Sequence, residues 1–192
     1  MIIFDKIRSA MRKAAEPDNL PKSEPVPMRR SAVISEDGLY RYGLGRQWDL
    51  EKPGVVWIML NPSTADGETD DNTIRRCVSF STKWGFGTLN VVNLFAYRAT
   101  DPKDLLRAHM RGVDIVGPQN LQAIGENVSA AALIVVAWGT PPIARGAAIQ
   151  VYNGLLKRMP QPVVCLGITK NGSPRHPLYV PDNCRVLKWG MK

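Results

Sequence analysis

The stretch Val55-Val56-Trp57-Ile58-Met59-Leu60-Asn61-Pro62-Ser63 is an unbroken apolar run closed by a turn. A strand with one wet face alternates apolar and polar residues. This one does not, so it reads as a strand covered on both faces, the pattern of a parallel sheet. Similar runs occupy 88–94, 133–138 and 163–166, and 185–189 reads as an edge strand. Helical patterns lie between them, over 72–84, near 102–108, over 117–128 and over 143–158. Strands alternating with helices predict an α/β fold: three layers, α/β/α, around a central, mostly parallel, four-stranded sheet. Ahead of it, 32–34 and 39–44 flank Ser35-Glu36-Asp37-Gly38 and read as an N-terminal β-hairpin.

The rest of the chain frames this domain. Its 192 residues suit a single α/β domain, placed at 30–192. Residues 1–29 divide into a basic amphipathic helix over 1–15, with Ile3, Phe4, Ile7 and Met11 on one face, and a Pro-rich linker over 16–28. The helix offers a surface for docking or self-association. No apolar run reaches 18 residues, and the N-terminus lacks a secretory h-region, which argues against a membrane partner. Cys77, Cys165 and Cys184 are odd in number and scattered, as expected of reduced thiols in a cytoplasmic protein.

Charge is uneven. The chain carries a net +8, while residues 141–192 hold eight Lys/Arg against one acid, Asp182. A basic C-terminal quarter suits a polyanionic partner, nucleic acid or a nucleotide. Two histidines and no paired Cys/His spacing argue against zinc, and no cofactor is expected. Walker-type phosphate loops and the G-x-S-x-G elbow are absent, and Gly43-Leu44-Gly45 lacks the third glycine of a dinucleotide fingerprint.

Ligands of open α/β sheets bind beyond the carboxyl ends of the strands, so the strand tips carry the functional reading. The first tip is Asn61-Pro62-Ser63. The second brings Asn93, then Phe95 and Tyr97, the third Trp138-Gly139, and the fourth Lys170, Arg175 and His176. Two amides, a histidine, hydroxyls and aromatics on one rim compose a pocket for a small molecule or a base. Phe95 or Tyr97 could offer a stacking face, and Lys170 and Arg175 could hold phosphates. Each has a plainer role as well, in turns, core packing or loop hydrogen bonds. The acidic stretch Asp66, Glu68, Asp70, Asp71 precedes a helix. Asp70 or Asp71 fits its N-cap, and a magnesium site on Asp66, Asp70 and Asp71, serving a phosphohydrolase, is the alternative.

Four motifs then carry a resemblance. Leu60-Asn61-Pro62-Ser63, Val91-Val92-Asn93-Leu94, Val136-Ala137-Trp138-Gly139 and His176-Pro177-Leu178 stand in the order of the strand-end motifs of the uracil-DNA glycosylase superfamily. The chain resembles more specifically an uncharacterised bacterial and phage domain-of-unknown-function family. That family is marked by Leu-Asn-Pro-Ser-Thr-Ala-Asp, Asp-Asp-Asn-Thr-Ile-Arg-Arg-Cys and Pro-Arg-His-Pro-Leu-Tyr. The glycosylase resemblance implies an enzyme that cleaves the bond between a nucleobase and its sugar. In it Asn61 places the attacking water, His176 hydrogen-bonds the base oxygen as it becomes negative, and Asn93 reads the base edge. The departures are the missing leading glycine of the first motif, Ser63 at the pocket floor, Leu178-Tyr179 where those enzymes carry a wedge loop, and the acidic stretch beside the pocket; residue 61 is, besides, an amide rather than a carboxylate. They motivate the alternative of a non-catalytic nucleotide or nucleic-acid-binding protein on the same scaffold.

Overall fold

A computed structural model describes residues 27–63 and 68–190. The helix expected over 1–15, its self-association surface, all but the end of the linker, and Asp66 lie outside the described residues. The strands are β1 (Arg29–Ile34), β2 (Arg41–Gln47), β3 (Gly54–Met59), β4 (Thr88–Asn93), β5 (Leu133–Val136), β6 (Val163–Cys165) and β7 (Leu187–Lys188). The helices are α1 (Asn72–Lys83), α2 (Pro102–Met110), α3 (Asn120–Ala130) and α4 (Ala144–Gly154), with 3-10 turns at Leu156–Arg158 and Pro177–Tyr179.

The strands form one seven-stranded sheet in the order β1-β2-β4-β3-β5-β6-β7. Its centre is parallel: β3 pairs with β4 on one side and β5 on the other, and β5 pairs with β6. The side chains of β3 alternate between two cores. Val55, Trp57 and Met59 join Ile74, Cys77 and Phe80 of α1, while Val56 and Ile58 join Leu105 of α2, Ile124 and Val128 of α3, and Ala148 of α4. That division explains the unbroken apolar run, since both faces of the strand are dry. Trp57 is fully buried. Its ring stacks on Trp84 with centroids 5.7 Å apart, and its indole N–H donates to Ser81 Oγ at 3.1 Å.

Three expectations are corrected. The hairpin is not an appendage to a four-stranded sheet. Strand β2 pairs antiparallel with β4, from Leu44↔Val91 to Gln47↔Thr88, and so extends the same sheet. The third helix starts at Asn120 rather than Gly117, because Gly117 has φ +86°, a left-handed conformation that cannot belong to a right-handed helix. The last helical pattern also breaks earlier than expected, at Asn153-Gly154, two residues of low helix propensity, and continues as a 3-10 turn. No helix among the described residues is long and apolar enough to cross a membrane.

Topology creates the crevice. From β3 the chain passes through α1, on one face, to β4. From β4 it passes through α2 and α3, on the other face, to β5 on the far side of β3. Connections leaving neighbouring strands toward opposite faces open a gap beyond their carboxyl ends.

Candidate functional site

A cavity of about 520 Å³ occupies that gap, within the range of small-ligand sites. Leu60, Asn61 and Ser63 enter it from the end of β3, Asn93 from β4, Trp138 and Gly139 from β5, and Arg175 and His176 from the loop after β6. Arg41 of β2 and Asp71 and Ile74 from the start of α1 complete much of the wall, and Tyr179 also lines it.

Asn61 is held by two backbone carbonyls. Its Nδ2 donates to Ala99 O at 2.8 Å and to Pro62 O at 3.1 Å. Both donor hydrogens are thereby engaged, and the side-chain oxygen remains as an acceptor. Asn93 is 2% exposed. Its backbone carbonyl accepts from Asn120 Nδ2 at 3.0 Å, while its own Nδ2 is buried with no hydrogen-bond partner. A buried amide donor without a partner costs about 1–3 kcal/mol. A ligand acceptor in the cavity would recover that energy.

His176 caps the 3-10 turn that begins at Pro177. The Leu178 N–H donates to Nδ1 at 3.3 Å, so a neutral ring carries its proton on Nε2. Burial pushes the imidazole below its usual 6.5, partly offset by the nearby Asp71 carboxylate. The ring is therefore neutral at neutral pH and offers an N–H donor. The Tyr179 ring lies 5.6 Å from it, tilted by 47°.

The acidic stretch separates into distinct jobs. Asp71 is the N-cap of α1: Oδ1 accepts from Ile74 N at 2.8 Å and Oδ2 from Ser63 Oγ at 2.7 Å. Asp70 turns away to the fully buried guanidinium of Arg46 at 2.7 Å and to Arg30 at 3.3 Å. The pair thus divides between a cap and an ion pair, and no group of three metal-ligating side chains occurs among the described residues. Arg76 of α1 reaches the loop that carries His176. It donates to Pro177 O at 3.3 Å and Val180 O at 2.6 Å and pairs with Asp182, which also takes Lys83 at 2.6 Å. Four hydrogen-bonded contacts thus rivet the loop bearing His176 to α1.

Several expected residues lie elsewhere. Phe95 is buried in the core that also holds Leu105 and Ile115, and it lines a separate recess with Ile115 rather than this cavity. Tyr97 packs edge-on against Tyr40, centroids 6.3 Å apart, also off the cavity. Lys170 stands exposed on the turn closed by Thr169 and Ser173. Pro62 is buried, and its carbonyl serves Asn61 and the Ala99 N–H rather than a ligand. Trp138 lines the cavity but its ring also packs edge-on against Trp189, centroids 5.1 Å apart. Gly139, at φ +77°, turns the chain out of β5 and donates to Pro174 O, which ties the third and fourth loops together. Sequence reasoning misses Arg41 and Tyr179. A 2% exposed arginine on a strand runs against the usual placement of that residue, whereas the tyrosine is signalled by its place three residues after His176.

The fold and site define an α/β protein with a ligand-sized crevice at the carboxyl ends of its parallel strands. The chain belongs to the family described as protein of unknown function (DUF1643), whose model matches residues 41–178. That span runs from Arg41 to Leu178 and contains every cavity-lining residue named above except Tyr179. No curated protein matches the chain. Among solved structures, the hetero-hexameric glutamate dehydrogenase from Thermus thermophilus, in its Leu-bound form, matches at 12% identity and a TM-score of 0.30. The match covers 79% of this chain and 38% of that one, and it carries no argument about fold or function.

Proposed function

We propose that the cavity binds a nucleobase and that the protein is a uracil-DNA glycosylase-like N-glycosidic hydrolase. Its substrate would be a nucleobase, plain or modified, in a nucleotide or nucleic acid. One observation carries the reading. Asn61, Asn93 and His176 come from three different strand ends, line one cavity, and each keeps hydrogen-bonding capacity that the protein does not use.

Those groups set the chemistry. As the bond between base and sugar breaks, negative charge builds on the departing base and positive charge on the sugar. An Nε2–H from neutral His176 stabilises a base carbonyl oxygen as it becomes negative. The Asn93 donor meets an acceptor on the base edge. The fixed Asn61 oxygen accepts a hydrogen bond from water and orients it toward the sugar carbon. The apolar walls from Met59, Ile74 and Val91 lower the local polarity and strengthen these interactions.

Base release is assayed on nucleosides, nucleotides, and single- and double-stranded oligonucleotides carrying uracil or modified bases. His176→Ala and Asn61→Ala should each lower kcat by about 10²–10³-fold, the range for losing one preorganised charge-stabilising group. Activity untouched by both substitutions would place the chemistry elsewhere. The amide at residue 61 favours a second reading, a binding protein without turnover. It predicts that nucleotides raise the melting temperature and no base is released.

A further inference from the structure

Hydrolysis needs a destination for the water's proton. The Asn61 amide cannot take it, and the neutral His176 ring has Nδ1 occupied and a proton on Nε2. Among the described residues that line the cavity, Asp71 is the one carboxylate. Its position is fixed from two sides, by Ile74 N–H on Oδ1 and by the Ser63 hydroxyl on Oδ2. A carboxylate has about four lone-pair sites, so two acceptor positions remain. Ser63 is also two residues from Asn61, which brings the carboxylate and the amide to the same tip of β3. The same cavity holds the 2% exposed, unpartnered Asn93 Nδ2, an independent sign that a ligand completes it.

We infer that Asp71 is a catalytic residue, the general base for the water that Asn61 orients, and that Ser63 is the positioning residue that aims it. The inference rests on the proposed nucleobase chemistry. In the step, the water oxygen bonds to the anomeric carbon while the carbon–nitrogen bond to the base breaks. The bonding pair leaves with the base, toward the carbonyl oxygen held by His176. The water's proton passes to an Asp71 oxygen and from there to solvent or to the base nitrogen. The products are a free base and a sugar hemiacetal. A strong base is unnecessary, because water bonded to an oxocarbenium carbon is itself strongly acidic. The alternative job of Asp71, capping α1, is compatible with this one, since the cap uses Oδ1 alone.

The test uses the full chain and the substrate it cleaves fastest. Asp71→Asn keeps a capping side chain but no base, and Asp71→Ser keeps a cap and opens space for added formate. The expected result is a kcat lower by about 10²–10⁴-fold in Asp71→Asn, the usual contribution of a general base. Stabilisation by the free product base should stay at the wild-type level, and formate should restore part of the Asp71→Ser rate. An Asp71→Asn rate equal to wild type, while His176→Ala is impaired, overturns the role of Asp71 and leaves the pocket reading standing. A wild type that releases no base from any substrate overturns the proposed function and this inference together. Should Asp71→Asn fail to fold, Asp71→Ser with and without formate decides, and no rescue counts against the base.

Discussion

At the scale of single residues, Asn93 and His176 lend themselves to the cleanest measurements. Asn93 Nδ2 is buried without a partner, so the apo protein already bears its desolvation cost. Replacing it with leucine removes the orphan donor and adds apolar contact. Asn93→Leu should leave the melting temperature equal or higher while ligand stabilisation disappears, a divergence that thermal-shift assays with and without nucleotide would show. His176 is depressed by burial below its usual 6.5. As pH falls, the unfolded chain therefore takes up this proton before the folded protein does. Stability is full above the usual value and declines as pH drops through it toward the lower folded value. Urea unfolding at several pH values should show that slope in the wild type and a shallower one in His176→Gln.

At the scale of elements, the strand tips are legible in the sequence and the sheet's outer half is not. Unbroken Val/Ile/Leu runs announce buried strands because both faces are dry, and the residues just past each run fall at one rim by the geometry of parallel sheets. Nothing local to residues 44–47 signals that they pair with 88–91, since that contact depends on which edge of β4 is left open. Phe95 and Tyr97 mislead for a similar reason. Past Asn93 the chain leaves the strand, and alternation no longer tells which way a ring points. Arg76 shows how an outward-looking residue on a helix can hold a distant loop. Arg76→Ala removes hydrogen bonds to two half-buried carbonyls, should cost about 1 kcal/mol, and should weaken ligand binding without any ligand contact of its own. Ser81→Ala tests the core beneath. It strands the buried Trp57 N–H and should cost about 1–3 kcal/mol in denaturant unfolding.

At the scale of the whole molecule, the proposed function assigns charge and pocket to different parts of a ligand. The cavity walls are largely apolar, whereas the basic surplus lies in residues 141–192, which include Arg175 at the cavity. A nucleic-acid ligand engaging that surplus should bind with a steep, linear fall of log affinity against log salt, at a slope near −0.7 per phosphate contact for single strands. A mononucleotide should show a much weaker dependence. Titrations at two or more salt concentrations separate the two ligand classes.

The side-by-side pairing of β3 and β4, with Met59 level with Asn93, makes the aim of the Asn93 amide a matter of counting. Consecutive side chains on a strand point to opposite sides, so one extra residue in the turn ahead of Thr88 would rotate that amide to the far side of the sheet, among the packing of α3, and bring Val92 or Leu94 round in its place. Under the proposed function, parity along this six-residue strand would be as much a determinant of recognition as the identity of any side chain.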